Sequence, residues 1–330
     1  FSVVSCLFSL SVIGTILFFQ KMQVGNFMPL ILYMSMADLG MNFVSAFGFP
    51  ASGSALCWIQ GILATYFTIT SWFWTTMLAF RVYSMVRYGK CNVKFWTMHA
   101  IAWGVPAFLT LIPLTTTNYG RGEDSLEWCL FTQRGNNPGW LMPFWSYLTF
   151  FIWLFICFGL MIAWQLIIQC KFRDSALQPV IRRTYDKVYL YPCAMILCWS
   201  LNIICDDSLG GNKSDKLAAL GMIFGISNGI LSALIFMFKS EEARRRWHAY
   251  LFPDKQSEFD SNVEPPIRLD FENDDNEELM TEYTQRMTEY TNRSTNISMV
   301  GKLSDFTGTN YSFATSTNNP INSVVSSENL

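Results

Sequence analysis

The amino-acid sequence predicts an all-α membrane protein built as a bundle of seven transmembrane helices. The 330-residue chain is 51% hydrophobic and only 15% charged, whereas soluble domains average about 25% charged residues. Seven apolar runs long enough to cross a bilayer follow one another before Ser240. The basic residues between these runs gather on alternate connections, as they do in multi-pass membrane proteins.

Each predicted span is an apolar run that ends at charged or polar residues. The second span contains one charge, Asp38, and the third contains Arg81 near its end. Because the chain starts at Phe1, inside the first run and without Met, we expect an N-terminally truncated sequence. The seven predicted spans are residues 1–19, 27–49, 58–86, 95–114, 141–168, 188–205 and 217–238.

The Lys and Arg residues of the connecting segments predict the orientation. One side of the predicted bundle carries thirteen of them and the other side carries four. The positive-inside rule places the more basic side in the cytosol. We therefore expect an extracellular N-terminus and a cytoplasmic C-terminal tail.

Two cysteines and one sequon lie on the predicted outer side. Cys57 opens the third span and Cys129 follows the fourth. We predict a disulfide between them because the outer side is oxidising, with two free thiols as the alternative. Asn212 begins an Asn-Lys-Ser sequon in the last outer loop, which makes it a candidate glycosylation site.

Beyond the seventh span the sequence divides into a short helix and an acidic tail. Residues 240–252 mix acidic, basic and aromatic side chains, which predicts an amphipathic helix in the membrane interface beside anionic lipid. Residues 253–330 carry a net charge of −9, against +7 for the residues before them. This Ser-, Thr- and Asn-rich composition predicts disorder. Its hydroxyl groups are candidate targets for kinases, and a functionless extension is the alternative.

A set of short motifs resembles one receptor family. In order and spacing they resemble the cyclic-AMP receptor family first known from slime moulds, over roughly residues 27–252. The third span carries the most distinctive of them. The motifs, in chain order, are Ala37-Asp38, Cys57-Trp58, Trp72-Phe73-Trp74, Arg81-Val82-Tyr83, Trp103-Gly104 with Pro106, Trp128-Cys129, Cys198-Trp199 and Ile226 to Gly229.

This resemblance implies a G-protein-coupled receptor of class E in the plasma membrane. Its implied partners are an extracellular small-molecule ligand and a heterotrimeric G protein; nucleic acid is not expected. The residues themselves predict no enzymatic activity and no cofactor, because the sequence contains neither a His-rich cluster nor a P-loop. Two His residues do not favour a histidine-based metal centre. Cyclic AMP is one candidate ligand, although the predicted outer side carries six acidic residues against four basic ones, a poor match for a phosphate.

Two polar residues are expected near the middle of the membrane. Asp38 and Asn228 each lie eleven residues, or about 16 Å, inside the second and seventh helices. A carboxylate at that depth must be neutral, paired or hydrated. We predict a polar network that rearranges on activation, with or without a sodium ion or proton. A hydrogen bond that only fixes the packing is the alternative.

Two further sets of candidate residues follow from the topology. The candidate ligand-pocket residues lie in the outward halves of their helices. The alternative is that they only pack against neighbouring helices. The candidates are Gln60, Tyr66, Trp145 and Asn202. Candidate G-protein contacts lie at the cytosolic ends of the third, fifth and sixth helices. The alternative is that the basic residues among them serve only to set the orientation in the membrane. The candidate contacts are Arg81, Tyr83, Arg173, Arg182, Arg183 and Lys187.

Each competing function would require a feature that can be looked for in the sequence. A retinal protein needs a Lys in the middle of the seventh span, and residues 217–238 contain none. A transporter would usually show an inverted repeat or charged residues along a path. Another seven-helix receptor class, secretin/adhesion or frizzled-like, stays open, and a large Cys-rich extracellular domain would favour it.

Overall fold

The structure of the protein is a computed structural model. It describes residues 1–19, 27–48, 50–51, 53–88, 91, 93–120, 129–132, 138, 140–174, 185–205 and 215–252. The acidic tail and Asn212 lie outside the described residues.

A helix coincides with each of the first four predicted spans. Apolar residues on several faces let these helices pack on neighbours and meet lipid at the same time. A 3-10 turn, Ile112–Thr115, extends the fourth. The helices are α1 (Ser2–Phe18), α2 (Met28–Ser45), α3 (Ala55–Tyr88) and α4 (Phe95–Leu111).

The remaining spans are helical with two interruptions. Span five comprises α5 (Leu141–Ser146), a π-helical stretch (Tyr147–Phe151) and α6 (Ile152–Asp174). Span six, Tyr185–Cys205, breaks at Tyr189 and continues as α7 (Leu190–Cys205). The break fits Pro192, because proline has no N–H to donate to the carbonyl of Val188. Span seven is α8 (Asp215–Lys239), and α9 (Glu241–Leu251) follows it.

Length and composition alone identify fewer spans than the fold does. Among the described residues, four helical stretches are long and apolar enough to cross a membrane: Phe95–Thr115, Leu141–Lys171, Tyr185–Cys205 and Ala219–Lys239. The helix α1 is apolar but has only 17 residues. The more polar α3 is the central helix and contacts α2, α4, α6 and α7, so its hydroxyl groups face other helices rather than lipid.

A small hairpin closes one end of the bundle. Strands β1 (Asn118–Gly120) and β2 (Leu130–Thr132) pair antiparallel. A disulfide joins Cys129, beside β2, to Cys57 at the start of α3, which confirms the predicted bridge. Gly61 permits the close approach, because a Cβ there would lie 2.6 Å from the carbonyl oxygen of Cys129. We call this the hairpin end, and the opposite end, where α8 meets α9, the α9 end.

Candidate functional site

A buried carboxylate joins three helices in the middle of the bundle. Asp38 of α2 is only 2% exposed. Its Oδ1 accepts a hydrogen bond from Asn228 Nδ2 of α8 at 3.2 Å and another from Ser71 Oγ of α3 at 2.6 Å. The structure therefore brings together the two residues predicted from their depth, and it adds Ser71. We call these three residues the Asp38 cluster.

A second layer of polar contacts packs α1 against the cluster. Ser5 Oγ donates to the carbonyl of Ile226 at 3.0 Å, and Asn42 Nδ2 donates to the carbonyl of Asp38 at 2.8 Å. Gly229 makes this possible, since a Cβ there would lie 2.7 Å from Ser5 Oγ and 2.8 Å from Asn42 Nδ2. Helices α1, α2 and α8 therefore approach one another closely beside the Asp38 cluster.

Four buried oxygens in the Asp38 cluster and the second layer have no hydrogen-bond partner within the part of the chain that the structure describes. They are Asp38 Oδ2, Asn42 Oδ1, Asn228 Oδ1 and Ser9 Oγ. Leaving a buried acceptor unpaired costs about 1–3 kcal/mol. The arrangement can therefore take up a proton, water or a small cation, or exchange partners when the helices move.

An aromatic contact connects the Asp38 cluster to span six. Trp72 follows Ser71 in α3, and its ring meets that of Trp199 in α7 edge-on, with 4.9 Å between the ring centroids. Trp72 also contacts Phe150 in the π-helical stretch at 5.6 Å. Neither indole Nε1 has a hydrogen-bond partner among the described residues. If span six moved, the Trp199 ring would therefore act directly on the Trp72 ring, and Trp72 is the residue next to Ser71.

Two of the candidate ligand-pocket residues hold the hairpin end together. Gln60 is buried, and its Nε2 donates to the carbonyls of Val44 at 3.2 Å and Gly48 at 2.8 Å. Trp145 is also buried, and its Nε1 donates to Thr116 Oγ1 at 2.6 Å. Such contacts are typical of packing residues. Packing is the alternative to a ligand pocket that the sequence leaves open for these two positions.

The other two pocket candidates lie elsewhere in the bundle. Asn202 Nδ2 donates to the carbonyl of Gly221 at 2.7 Å and so ties α7 to α8. Tyr66 packs against Trp103 of α4, with ring centroids 6.3 Å apart. The four candidates thus make their described contacts with four different parts of the fold.

Tyr119 is a hairpin-end residue that sequence reasoning missed. Its hydroxyl donates to the carbonyl of Thr110 at 2.9 Å. Burial raises the pKa of Tyr119, so the hydroxyl stays neutral and keeps its donor proton. No sequence pattern distinguishes it from the other tyrosines.

The candidate G-protein contacts that the structure describes lie at the α9 end. Arg81 is half-buried near the end of α3. The ring of Tyr83 stacks on that of Trp164 in α6 at 5.9 Å. Lys187 Nζ lies 3.5 Å from Glu241 Oε2 at the start of α9. Arg182, Arg183 and the side chain of Arg173 lie outside the described residues.

A cavity of about 200 Å³ opens at the α9 end. Its inner walls are apolar and include Ile31 of α2, Tyr191 of α7 and Phe236 of α8. Its rim is charged and carries Lys187, Lys239, Glu241 and Glu242. This cavity lies between α2, span six, α8 and α9. A second, small cavity lies between α3, α6 and span six, with Val82, Trp164 and Val188 among its lining residues, at the helix ends where the sequence predicts the G-protein contacts.

The fold is that of a solved seven-helix protein. The chain is similar to squid rhodopsin, with a TM-score of 0.58 and 17% sequence identity, over 83% of this chain and 86% of that one. At that identity the likeness establishes the fold alone, a bundle of seven helices, as predicted.

The family follows from the sequence as a whole. Residues 11–286 match the family model of the slime mold cyclic AMP receptor, and the chain belongs to this family. This assignment confirms the resemblance found in the motifs and favours it over the other seven-helix receptor classes.

Individual relatives share shorter stretches. The chain is 32% identical to G-protein coupled receptor 157 of Homo sapiens over 109 residues, which is 30% of this chain and 32% of the relative. It is 24% identical to cyclic AMP receptor 4 of Dictyostelium discoideum over 218 residues, 61% of this chain and 45% of the relative. The chain spans about a third of the length of the first curated relatives it matches.

Proposed function

We propose that this protein is a cell-surface receptor that binds an extracellular ligand and activates a heterotrimeric G protein through its α9 end. The observation that carries the proposal is the cavity at that end, within a bundle of a receptor family. Its apolar walls and charged rim suit an amphipathic partner helix, which would bury its apolar side and leave its polar side at the rim.

The proposal places the α9 end in the cytosol. The basic residues of the connections at this end, which include Lys94 and Lys171, support that orientation by the positive-inside rule. The disulfide of the hairpin end supports it independently, because disulfides persist on the oxidising side of the plasma membrane.

We propose the Asp38 cluster as the polar switch between the two ends. Its support is the set of buried oxygens without partners, together with the ring contact from Trp72 to span six. A rearrangement in which Asp38 Oδ2 or Asn228 Oδ1 gains a partner would offset part of the cost of breaking the present hydrogen bonds. A sodium ion or a proton at Asp38 would favour one of them.

The ligand is proposed only by class, as a small molecule that reaches the hairpin end. The relative from Dictyostelium discoideum is named for cyclic AMP. For this chain the excess of acidic residues on the predicted outer side argues against a phosphate-bearing ligand. A ligand panel should therefore include cyclic nucleotides, although we do not expect a cyclic nucleotide to be the ligand.

Nucleotide exchange on reconstituted G proteins tests the proposal. The receptor, in lipid nanodiscs, is mixed with purified Gα and Gβγ, and GTP-analogue binding is followed with a ligand panel that includes cyclic nucleotides. We expect receptor-dependent exchange that at least one ligand raises. Solute flux in proteoliposomes without any exchange on the G proteins would contradict the proposal and favour a transporter.

Two variants test the coupling residues. We expect Arg182→Gln combined with Arg183→Gln to reach the surface and bind ligand normally, since three basic residues remain in the loop. G-protein activation should fall at least several-fold, and Arg81→Ala should be more severe. Parent-like activation by both variants would leave these residues as topology signals only.

A further inference from the structure

We propose that the receptor binds an uncharged, hydrogen-bonding small molecule between α3, α4 and span five, beneath the hairpin. The proposal rests on the function proposed above and adds the place and the chemical class of the ligand. Two buried hydroxyl groups carry it, those of Thr110 in α4 and Thr149 in the π-helical stretch, which lack hydrogen-bond partners among the described residues. We call these two residues, with the rings of Tyr119 and Trp145, the threonine site.

The hydroxyl groups of Thr110 and Thr149 differ from those of other buried threonines. Thr70, Thr75 and Thr76 of α3 each donate to the carbonyl four residues earlier in their own helix, at 2.7–2.9 Å. Thr110 and Thr149 are only 1% and 0% exposed, but neither hydroxyl bonds to any described residue. An unpaired buried hydroxyl destabilises the protein, and a molecule that pairs with it removes that cost. The two groups therefore favour a bound molecule as their partner.

The two threonines border the same pair of buried rings. The Tyr119 hydroxyl donates to the Thr110 carbonyl at 2.9 Å. Tyr119 and Trp145 belong to one buried cluster, and a residue on either side of Thr149 in the chain packs against it. Thr149 follows Trp145 by four residues, which is about one helical turn. Thr149 therefore lies about one turn deeper in span five than Trp145.

Helix α3 and the hairpin complete the surroundings of the site. A Cβ at Gly61 would lie 2.8 Å from Tyr119 Cδ1, so this glycine lets the Tyr119 ring approach α3. Thr65, one turn further along α3, lies beside the Tyr119 hydroxyl. Because Tyr119 belongs to β1, the hairpin lies over the site on the side proposed to be extracellular. A ligand that reaches the hairpin end is thus close to the threonine site.

Span five has an irregular turn at the site. In the π-helical stretch the N–H of Ile152 donates to the carbonyl of Tyr147, five residues earlier. Such turns are frequent at functional sites. Phe150 of this stretch contacts Trp72, which is next in the chain to the Asp38 cluster. A molecule bound to Thr149 would therefore act on the turn that touches this part of α3.

The surroundings of the site indicate the chemical class of the ligand. The described residues that pack on Tyr119 and Trp145 are apolar; they are Ile62, Ile112, Leu114, Leu141, Leu148 and Phe150. A threonine hydroxyl can both donate and accept a hydrogen bond. A phosphate or carboxylate buried here would have no counter-charge among these residues, which is costly. The ligand is therefore uncharged, with an apolar body and a carbonyl, hydroxyl or amide group for the two threonines.

Cysteine reactivity tests the site without any ligand or G protein. Thr110→Cys and Thr149→Cys are made separately in a receptor whose exposed Cys170 and Cys193 are replaced by Ser, and the same receptor without an added cysteine gives the baseline. The probes are methyl methanethiosulfonate, which is neutral, and its negatively charged sulfonatoethyl analogue. We expect the neutral probe to react about tenfold faster than the charged one at both positions, because the site does not accommodate a charge. Thr70→Cys, at a hydroxyl paired within α3, is the control and should not react.

Removal of each hydroxyl group tests its role in binding. Thr110→Val and Thr149→Val keep the side-chain shape, and without ligand they should unfold at the parent temperature or above it, because the group removed is unpaired. The nucleotide-exchange panel is repeated on these variants, and the uncharged compound that is most active on the parent serves as the probe. We expect each variant to need about two- to tenfold more of this compound, the range for one hydrogen bond. Thr70→Val is the control and should keep the parent response.

The two assays separate the threonine site from the wider proposal. Unreactive cysteines at both positions, or a panel in which only charged compounds such as cyclic AMP raise exchange, would overturn the threonine site as a ligand site. An equal loss of response in Thr70→Val would overturn it as well, and valine variants less stable than the parent would overturn it in favour of a structural water. Reactive cysteines without exchange by any compound would support the threonine site and overturn the G-protein proposal.

Discussion

The hairpin end and the α9 end are held together by different kinds of contact. At the hairpin end a disulfide, buried backbone hydrogen bonds to Gln60 and the close approach at Gly61 fix the helices in place. At the α9 end an exposed ion pair crosses a cavity. The Asp38 cluster lies between them, buried but with oxygens that lack partners. The comparison shows that covalent and buried contacts fix the hairpin end, whereas the contact between span six and α9 is exposed and lies beside a cavity.

The largest expected effect is the loss of the disulfide. Cys57→Ser combined with Cys129→Ser opens a loop of 72 residues, and chain entropy gives a loss of about 4 kcal/mol of unfolding free energy. Thermal unfolding of the purified receptor measures this as a lower melting temperature. Cys170→Ser, at an exposed free cysteine, is the control and should unfold like the parent. Equal melting temperatures would show that the hairpin end does not depend on the bridge.

The next effect concerns the Asp38 cluster. Asp38→Leu leaves the donors of Ser71 and Asn228 buried without an acceptor, which costs about 1–3 kcal/mol for each group. Asp38→Asn keeps an acceptor oxygen and should unfold close to the parent temperature while changing basal and stimulated nucleotide exchange. Ser232→Ala, at a buried hydroxyl of α8, is the control. Parent-like exchange by Asp38→Asn would reduce the cluster to a packing role.

A smaller effect is expected where α9 meets α1. Trp247→Phe keeps an aromatic ring beside Phe18 and Phe19 but removes the hydrogen bond to Thr15, worth about 0.5–1.5 kcal/mol. Amide hydrogen exchange in α9 should speed up accordingly, and more so in Trp247→Ala. If exchange in α9 does not change in either variant, contacts other than Trp247 hold this helix.

The seven helices and the contact between Asp38 and Asn228 could be predicted from the sequence. Hydropathy places the seven helices because lipid demands long apolar runs. The pair of Asp38 and Asn228 was predictable because polar residues at equal depth in two helices have few other partners. Ser71 was not, because residues 68–76 of α3 contain five Ser and Thr residues and hydropathy does not separate them.

The contacts at the two ends depend on packing that the sequence does not display. Gln60 is a pocket candidate by its depth, but depth does not show that its amide donates to the backbone carbonyls of Val44 in α2 and Gly48 just after it. The bond from Lys187 to Glu241 joins residues 54 positions apart in elements whose relative placement depends on the bundle. The loop charges predict a coupling face at the α9 end, but they do not indicate which helices line the cavities there.

Paired distance measurements with and without bound G protein test the central claim most directly. One label pair reports the α9 end, at Cys193 and Leu251→Cys, and a second reports the hairpin end, at Ala51→Cys and Pro138→Cys, both exposed positions. The account predicts that nucleotide-free G protein lengthens the α9-end distance by several ångströms and leaves the hairpin-end distance unchanged. A constant α9-end distance in the complex, or an equal change at the hairpin end, would contradict it.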